Sequence, residues 1–237
     1  MLNEDLKILI KEKEKEIYKK DDNDNYDIIF KLIIIGDSGV GKSSLALNAT
    51  SNIFIPNIES TVCFEFAVLN LQIEEKKVKL EIWDTCGQEV YKSLISSFYK
   101  RSSLAILIYS IDNEESFIHL EEWLNEIKTH SNPNIKIVLI GNKCDLEENR
   151  KIKKEQGEIF SNEHNFSFFM ETSAKTGFNA KNLFKEAAKI LYKEYLELKK
   201  SFHSSESSSD SSSKTLATFL SVEIDNENEH RRKKCFC

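Results

Sequence analysis

The octapeptide GDSGVGKS, Gly36 to Ser43, holds three of the chain's seven glycines. Glycine lets backbone take positive φ and lets a ligand approach closely. A glycine-poor chain that concentrates them here is building a phosphate cradle. The spacing G-x-x-x-x-G-K-[ST] is the P-loop pattern, in which backbone N–H groups wrap phosphates. Lys42 then reaches the β- and γ-phosphates, and the Ser43 hydroxyl ligates Mg²⁺. The run Asp37, Ser38, Gly39, Val40, Gly41, Lys42, Ser43 and Ser44 is expected to line the phosphates.

The flanks of the octapeptide have the right form. DIIFKLIII, residues 27 to 35, is apolar and β-branched with no Gly or Pro. It reads as a strand buried on both faces. SSLALNAT, residues 43 to 50, can start a helix. Strand, glycine loop, helix places a helix N-terminus against the phosphates.

The whole chain of 237 residues suits one domain with tails. Hydrophobic content of 40% is enough for a sizeable core, and a net charge of −6 argues against a general nucleic-acid binder. No apolar run reaches the length of a membrane span, and MLNEDLKILIKEKEKE has no signal-peptide core. Five scattered cysteines do not make a disulfide framework. A reduced, cytosolic protein is expected. Residues 1–26 are charged, either a solvated helix or a poorly ordered extension. After Lys200 comes SFHSSESSSDSSS, a serine-rich linker that cannot bury a core. The division expected is therefore 1–26, a globular domain at 27–199, and a tail at 200–237.

Within 27–199 apolar strands alternate with helices. Residues 64–75 and 76–84 read as an antiparallel pair, 103–112 as a buried strand and 114–131 as one amphipathic helix. Residues 134–143 are a further strand, 151–164 a helix, 165–174 a short strand and 179–200 the last helix. Such alternation gives an α/β fold: a mostly parallel, doubly wound sheet with helices on both faces. Ligands bind these sheets at the C-terminal ends of the strands.

More candidate contacts fall at those ends. Asp84 closes the strand 76–84, where a carboxylate can support P-loop Mg²⁺ through water. Gly87 can offer its N–H to a γ-phosphate, and Gln88 can orient a water for in-line attack. Asp145, in GNKCD, can accept two hydrogen bonds from an edge carrying N1–H and N2–H₂, which guanine has and adenine lacks. Asn142 and Lys143 can brace that loop and stack on the ring. In ETSAK, Ala174 can present its N–H to the guanine O6; Ser173 and Lys175 belong either to that contact or to a plain turn. Thr61 can complete the Mg²⁺ shell. Phe54 either stacks on the guanine or packs on the sheet.

In this order and spacing the elements resemble the Ras-like small GTPases over about residues 28 to 196. TVCFEF (61–66), KLEIWDT (79–85), FYKRS (98–102) and YSID (109–112) look most like the Rab family. The resemblance implies a P-loop GTPase sheet of six strands with one antiparallel edge strand. It implies GTP or GDP as bound nucleotide, Mg²⁺ as cofactor and Gln88 as the catalytic residue. It implies a monomeric switch in vesicle-mediated transport whose two loops, at 52–64 and 85–99, follow the γ-phosphate. It also implies an exchange factor, effectors, a dissociation inhibitor, a prenylation escort protein and an activating protein whose arginine accelerates slow hydrolysis. Arg101 and Arg150, the only arginines before the tail, do not fall where a cis arginine finger is expected. Three positions depart from the family pattern: Cys63 for Gly, Cys86 for Ala and Val90 for Arg. The larger side chain at 86 is expected to slow hydrolysis or exchange, and a binding module held permanently in the GTP state is the competing reading.

The chain ends RRKKCFC. Cys235 and Cys237 form C-x-C, not the C-a-a-X arrangement. In Rab-like proteins such a pair takes two geranylgeranyl groups, and two chains anchor stably where one does not. Arg231 to Lys234 add attraction to anionic lipid. The expected address is the cytoplasmic face of an intracellular membrane or the plasma membrane, with a cytosolic inhibitor-bound pool.

Overall fold

The computed structural model describes residues 26–56, 65–84 and 99–204. Its strands are β1 (Ile28–Ile35), β2 (Glu65–Ile73), β3 (Lys76–Asp84), β4 (Leu104–Ser110), β5 (Lys136–Asn142) and β6 (Phe169–Glu171). Its helices are α1 (Lys42–Ser51), α2 (Glu114–Ile118), α3 (Leu120–His130), α4 (Lys154–Glu163) and α5 (Ala180–Ser204). The strands form one six-stranded sheet in the order β2-β3-β1-β4-β5-β6. Only β2 runs antiparallel, at the edge beside β3. The other pairings are parallel. This is the expected doubly wound architecture.

Alternation along each strand sorts side chains between two cores. From β1, Phe30, Leu32 and Ile34 join Ile106, Ile108, Val138 and Ile140 on one face. There α1 lays down Leu45 and Ala49, and α5 adds Leu183, Phe184, Ala187 and Leu191 at helical spacing. Ile33 and Ile35 point to the other face with Leu107, Tyr109 and Leu139. Leu120, Trp123 and Ile127 of α3 cover that side, with Phe160 of α4 packed against it. Each buried Leu or Ile contributes about 1.5–3 kcal/mol, so the sheet is held from both faces by side-chain burial rather than by helix propensity.

Boundaries differ from the sequence reading in several places. The helix expected over 114–131 divides at His119, whose backbone flattens to φ −71°, ψ −6°. Its N–H still bonds the Glu115 carbonyl at 2.9 Å, so the axis bends without breaking. The strand expected over 165–174 pairs only at Phe169–Glu171. Its first part is spent closing α4, with the Phe166 N–H on the Ser161 carbonyl and Asn165 at φ 55°. The helix expected from 151 starts at Lys154, because the Lys151 and Ile152 N–H groups both bond the Ile111 carbonyl. The Gln156 side chain then caps the Lys153 N–H at 2.9 Å. At its other end α5 continues to Ser204, past the boundary at 199.

In sheet order β1 stands between β3 and β4, so successive connections leave it on opposite sides. A crevice opens at the carboxyl ends of strands at such a point. GDSGVGKS fills it.

Candidate nucleotide site

The phosphate loop takes its shape from glycines pressed against other strands. Gly36 has φ 148°, and a Cβ there would lie 2.1 Å from the Ile108 carbonyl oxygen of β4. Gly41 has φ 94°, and its Cβ would lie 2.5 Å from Asn142 Nδ2. No other residue fits either place. Gly41 is also the N-cap of α1, with no side-chain cap and no acidic residue in the first turn. That helix end is left for an anion, whose charge complements the exposed N–H dipoles.

Lys42 is buried, 6% exposed. Its ammonium donates to the carbonyls of Gly36 at 2.8 Å and Asp37 at 2.7 Å. The loop thus wraps over its own lysine and fixes the ammonium at the cradle. Ser43 donates from Oγ to Asp84 Oδ2. Asp84, 2% exposed, ends β3. A hydroxyl and a carboxylate are hard oxygen donors, the kind that suit Mg²⁺ and not a thiophilic metal. Among the described residues no group of three or more His, Cys, Asp or Glu could hold a metal. A cation here would take the remainder of its shell from water and phosphate oxygens, the usual habit of Mg²⁺. These residues fit that ion, whose chemistry is to neutralise charge on bridging phosphate oxygens.

The second half of the site gathers around Asn142, the last residue of β5 and fully buried. Its Nδ2 donates to the Val40 carbonyl in the phosphate loop at 2.8 Å. Its Oδ1 accepts from Thr172 Oγ1 at 3.0 Å and from the Ala174 N–H at 3.3 Å. One amide therefore joins three loops. Beside it, Lys143 takes φ 63°, which turns the chain sharply, and Asp145 Oδ1 accepts from Ser173 Oγ at 2.5 Å. Ser173 Oγ also accepts the Thr176 N–H at 3.1 Å, closing the turn. Arg150 braces the loop from below. Its guanidinium makes a two-pronged bond to Glu171 at 2.6 and 3.0 Å and reaches Glu147 at 2.9 Å. The Glu171 and Glu147 carboxylates raise the arginine's pKa still further, and Arg150 in turn holds the Glu147 carboxyl below its ordinary value.

A loop that cradles anions, a hydroxyl–carboxylate pair for a hard cation, and a carboxylate loop tied to it by one asparagine form a single connected site. The Ras family model matches residues 31–193. The chain belongs to the Ras family. It is a Ras-like small GTPase by fold and by the arrangement of these loops.

Of the candidate residues of this Ras-family chain, the structure brings Asp37 to Ser44, Asp84, Asn142, Lys143, Asp145, Ser173 and Ala174 to the carboxyl edge of the sheet. Lys175 is exposed on the turn that follows. Phe54 is 36% exposed beyond the end of α1, between Ile53 and Ile55, which are also exposed. Thr61, Cys63, Cys86, Gly87, Gln88, Val90, Cys235 and Cys237 lie outside the described residues. Among the described residues no helix is long and apolar enough to cross a membrane.

The sequence reading missed four residues. Thr172 fixes the Asn142 amide, as above. Asn48 of α1, 7% exposed, donates from Nδ2 to the Ala174 carbonyl at 3.0 Å. His119 and Trp123 both reach Asp37, at 2.7 Å each. A polar residue inside an otherwise apolar helix stripe was the available signal for Asn48. Trp123 carried a signal too, since a buried indole N–H demands an acceptor.

Proposed function

We infer that this Ras-family protein is a GTP/GDP switch of the Rab kind, acting in vesicle-mediated transport from the cytoplasmic face of a membrane. The observation that carries the nucleotide part is the Asn142 amide, which ties the Asp145 loop to the phosphate loop through Val40. A base held by Asp145 and phosphates held by Lys42 are thereby placed by one rigid frame. The Asp145 carboxylate selects guanine by accepting from N1–H and N2–H₂. Lys42 and the α1 N-terminus bind the β- and γ-phosphates. Ser43 and Thr61 would hold Mg²⁺, with Asp84 supporting it through water. Gln88 orients the attacking water.

The transport part rests on sequence: the Rab-like stretches at 61–66 and 98–102, and the terminal C-F-C. Two geranylgeranyl chains on Cys235 and Cys237 anchor the protein, aided by Arg231 to Lys234. Counted from the end of α5 at Ser204, the tail reaches roughly 110 Å extended, or about 30 Å as a coil, enough to hold the domain off the bilayer. Effectors, an exchange factor, an activating protein, a dissociation inhibitor and a prenylation escort are its partners on this reading.

Two measurements test it. A tagged protein should mark discrete membranes, and its Cys235→Ser/Cys237→Ser form should be diffuse; identical distributions sink the anchoring claim. Purified protein loaded with GTP should convert it slowly to GDP, faster with an activating protein. GTP that stays intact in both conditions would favour the competing reading, a permanently GTP-bound module, for which the Cys63 and Cys86 replacements speak.

A further inference from the structure

Asp37 is an awkward residue in a phosphate cradle. Its carboxylate would repel a polyphosphate if it turned inward. Instead it turns to the α2–α3 junction. Oδ1 accepts from Trp123 Nε1 at 2.7 Å, and Oδ2 lies 2.7 Å from His119 Nδ1. The side chain is 19% exposed and that of His119 45%. The main-chain carbonyl of the same residue accepts from Lys42 Nζ at 2.7 Å. Asp37 is thus held at its side chain by one helix pair and holds the phosphate-binding lysine through its backbone. Its loop neighbours Ser38 and Gly39 are exposed and reach no other element by a side-chain bond among the described residues.

The anchoring helices are themselves fixed. Asn113 Oδ1 caps the Glu115 N–H at 3.1 Å. Ser116 Oγ accepts the Ser110 N–H at 3.0 Å and donates to the Asn113 carbonyl at 2.7 Å. The helix start is therefore bound to the end of β4, and His119 marks the bend where α2 passes into α3.

We propose that His119 and Trp123 are positioning residues for nucleotide binding: through Asp37 they hold the phosphate loop and Lys42 ready, His119 more firmly when its ring is charged. This rests on the guanine-nucleotide reading above. The groups facing His119 are Asp37 from the loop, Glu115 from α2 and Glu122 from α3, all acidic. Each favours the charged ring. Trp123 carries no titratable group, so its share of the grip is constant with pH.

The test is release of fluorescently labelled GDP from the full chain with Mg²⁺, at about pH 6 and about pH 8. Trp123→Phe keeps an aromatic ring and removes the donor; release should be about five- to tenfold faster at both pH values, as for one lost hydrogen bond. His119→Ala should release several-fold faster near pH 6 and by a smaller factor near pH 8, where a neutral ring still donates from Nδ1 to Asp37. His119→Asn keeps a donor that does not titrate, so its release should not change with pH in this interval. Wild-type release rates in all three variants overturn the proposal. Equal acceleration of His119→Ala at both pH values, not rescued by Asn, reduces the residue to structural support and also overturns it. A wild-type protein that cannot retain labelled GDP overturns the guanine-nucleotide reading and this one together, whereas retention with insensitive variants overturns this one alone.

Discussion

Asn142 Nδ2 donates to the Val40 carbonyl at 2.8 Å, across 102 residues of sequence. The same side chain accepts from Thr172 and Ala174. Asn142→Ala would strip partners from three groups at a fully buried place. The expected loss is about 2–4 kcal/mol of unfolding free energy, because buried polar groups left unpaired carry their desolvation cost. Urea denaturation checks it; an unchanged midpoint would show that the amide is not what joins the loops.

Gly41 and Asn142 are coupled sterically. An alanine at 41 sets a Cβ 2.5 Å from Asn142 Nδ2 and strains a backbone at φ 94°. Two costs therefore add in Gly41→Ala. Only the clash is relieved when Asn142 is also Ala. A double-mutant cycle should give a smaller cost for Gly41→Ala in that background, by about 1 kcal/mol or more. Strict additivity would place the strain in the backbone alone.

Arg150 separates a strong pair from a weak one. Its side chain is 15% exposed and that of Glu171 12%, while Glu147 is 69% exposed. Removing one partner from a largely buried pair costs about 2–3 kcal/mol, somewhat less than in a fully buried one. Exposed pairs contribute little. Glu171→Ala should lower the thermal midpoint clearly and Glu147→Ala should leave it within error. Similar losses in both would mean that Arg150 acts as one undivided network.

The pairing of His119 with Asp37 also gives stability a pH dependence. The hydrogen bond from Asp37, and then its charge, raises the imidazole pKa above the ordinary value. A raised folded-state pKa stabilises fully below the unfolded value, about 6.5, and the contribution is lost as pH rises through the folded one. Thermal midpoints of nucleotide-free protein should therefore fall more between about pH 6 and pH 8 in wild type than in His119→Asn. Parallel curves would remove the ion pair from the account.

The sheet was legible because its strands are apolar runs bounded by turns: Ile28–Ile35 and Leu104–Ser110 could be placed from composition alone. The loops at their ends were legible because glycine, asparagine and aspartate sit there at fixed spacing. What escaped was contact between distant segments. His119 lies 82 residues from Asp37 and Trp123 lies 86, and helical periodicity assigns both only to a face. The short β6 escaped for a similar reason. FSFFME is apolar enough for a longer strand, but its ladder with β5 runs only from Phe169 to Glu171, with the Ser167 N–H on the Ile137 carbonyl just before it. The bend at His119 was hidden because its N–H keeps a helical bond while its ring bonds to Asp37.

The central claim is that the Asn142–Asp145 loop makes this a guanine-nucleotide site. Competition of GDP and ADP against labelled GDP on the wild-type chain tests it most directly. A site built to accept N1–H and N2–H₂ should reject adenine by a factor of about 10⁴. Asp145→Ala should remove most of that preference, since the selecting carboxylate is gone. ADP competing within about tenfold of GDP would contradict the account and leave a phosphate site without a guanine reader.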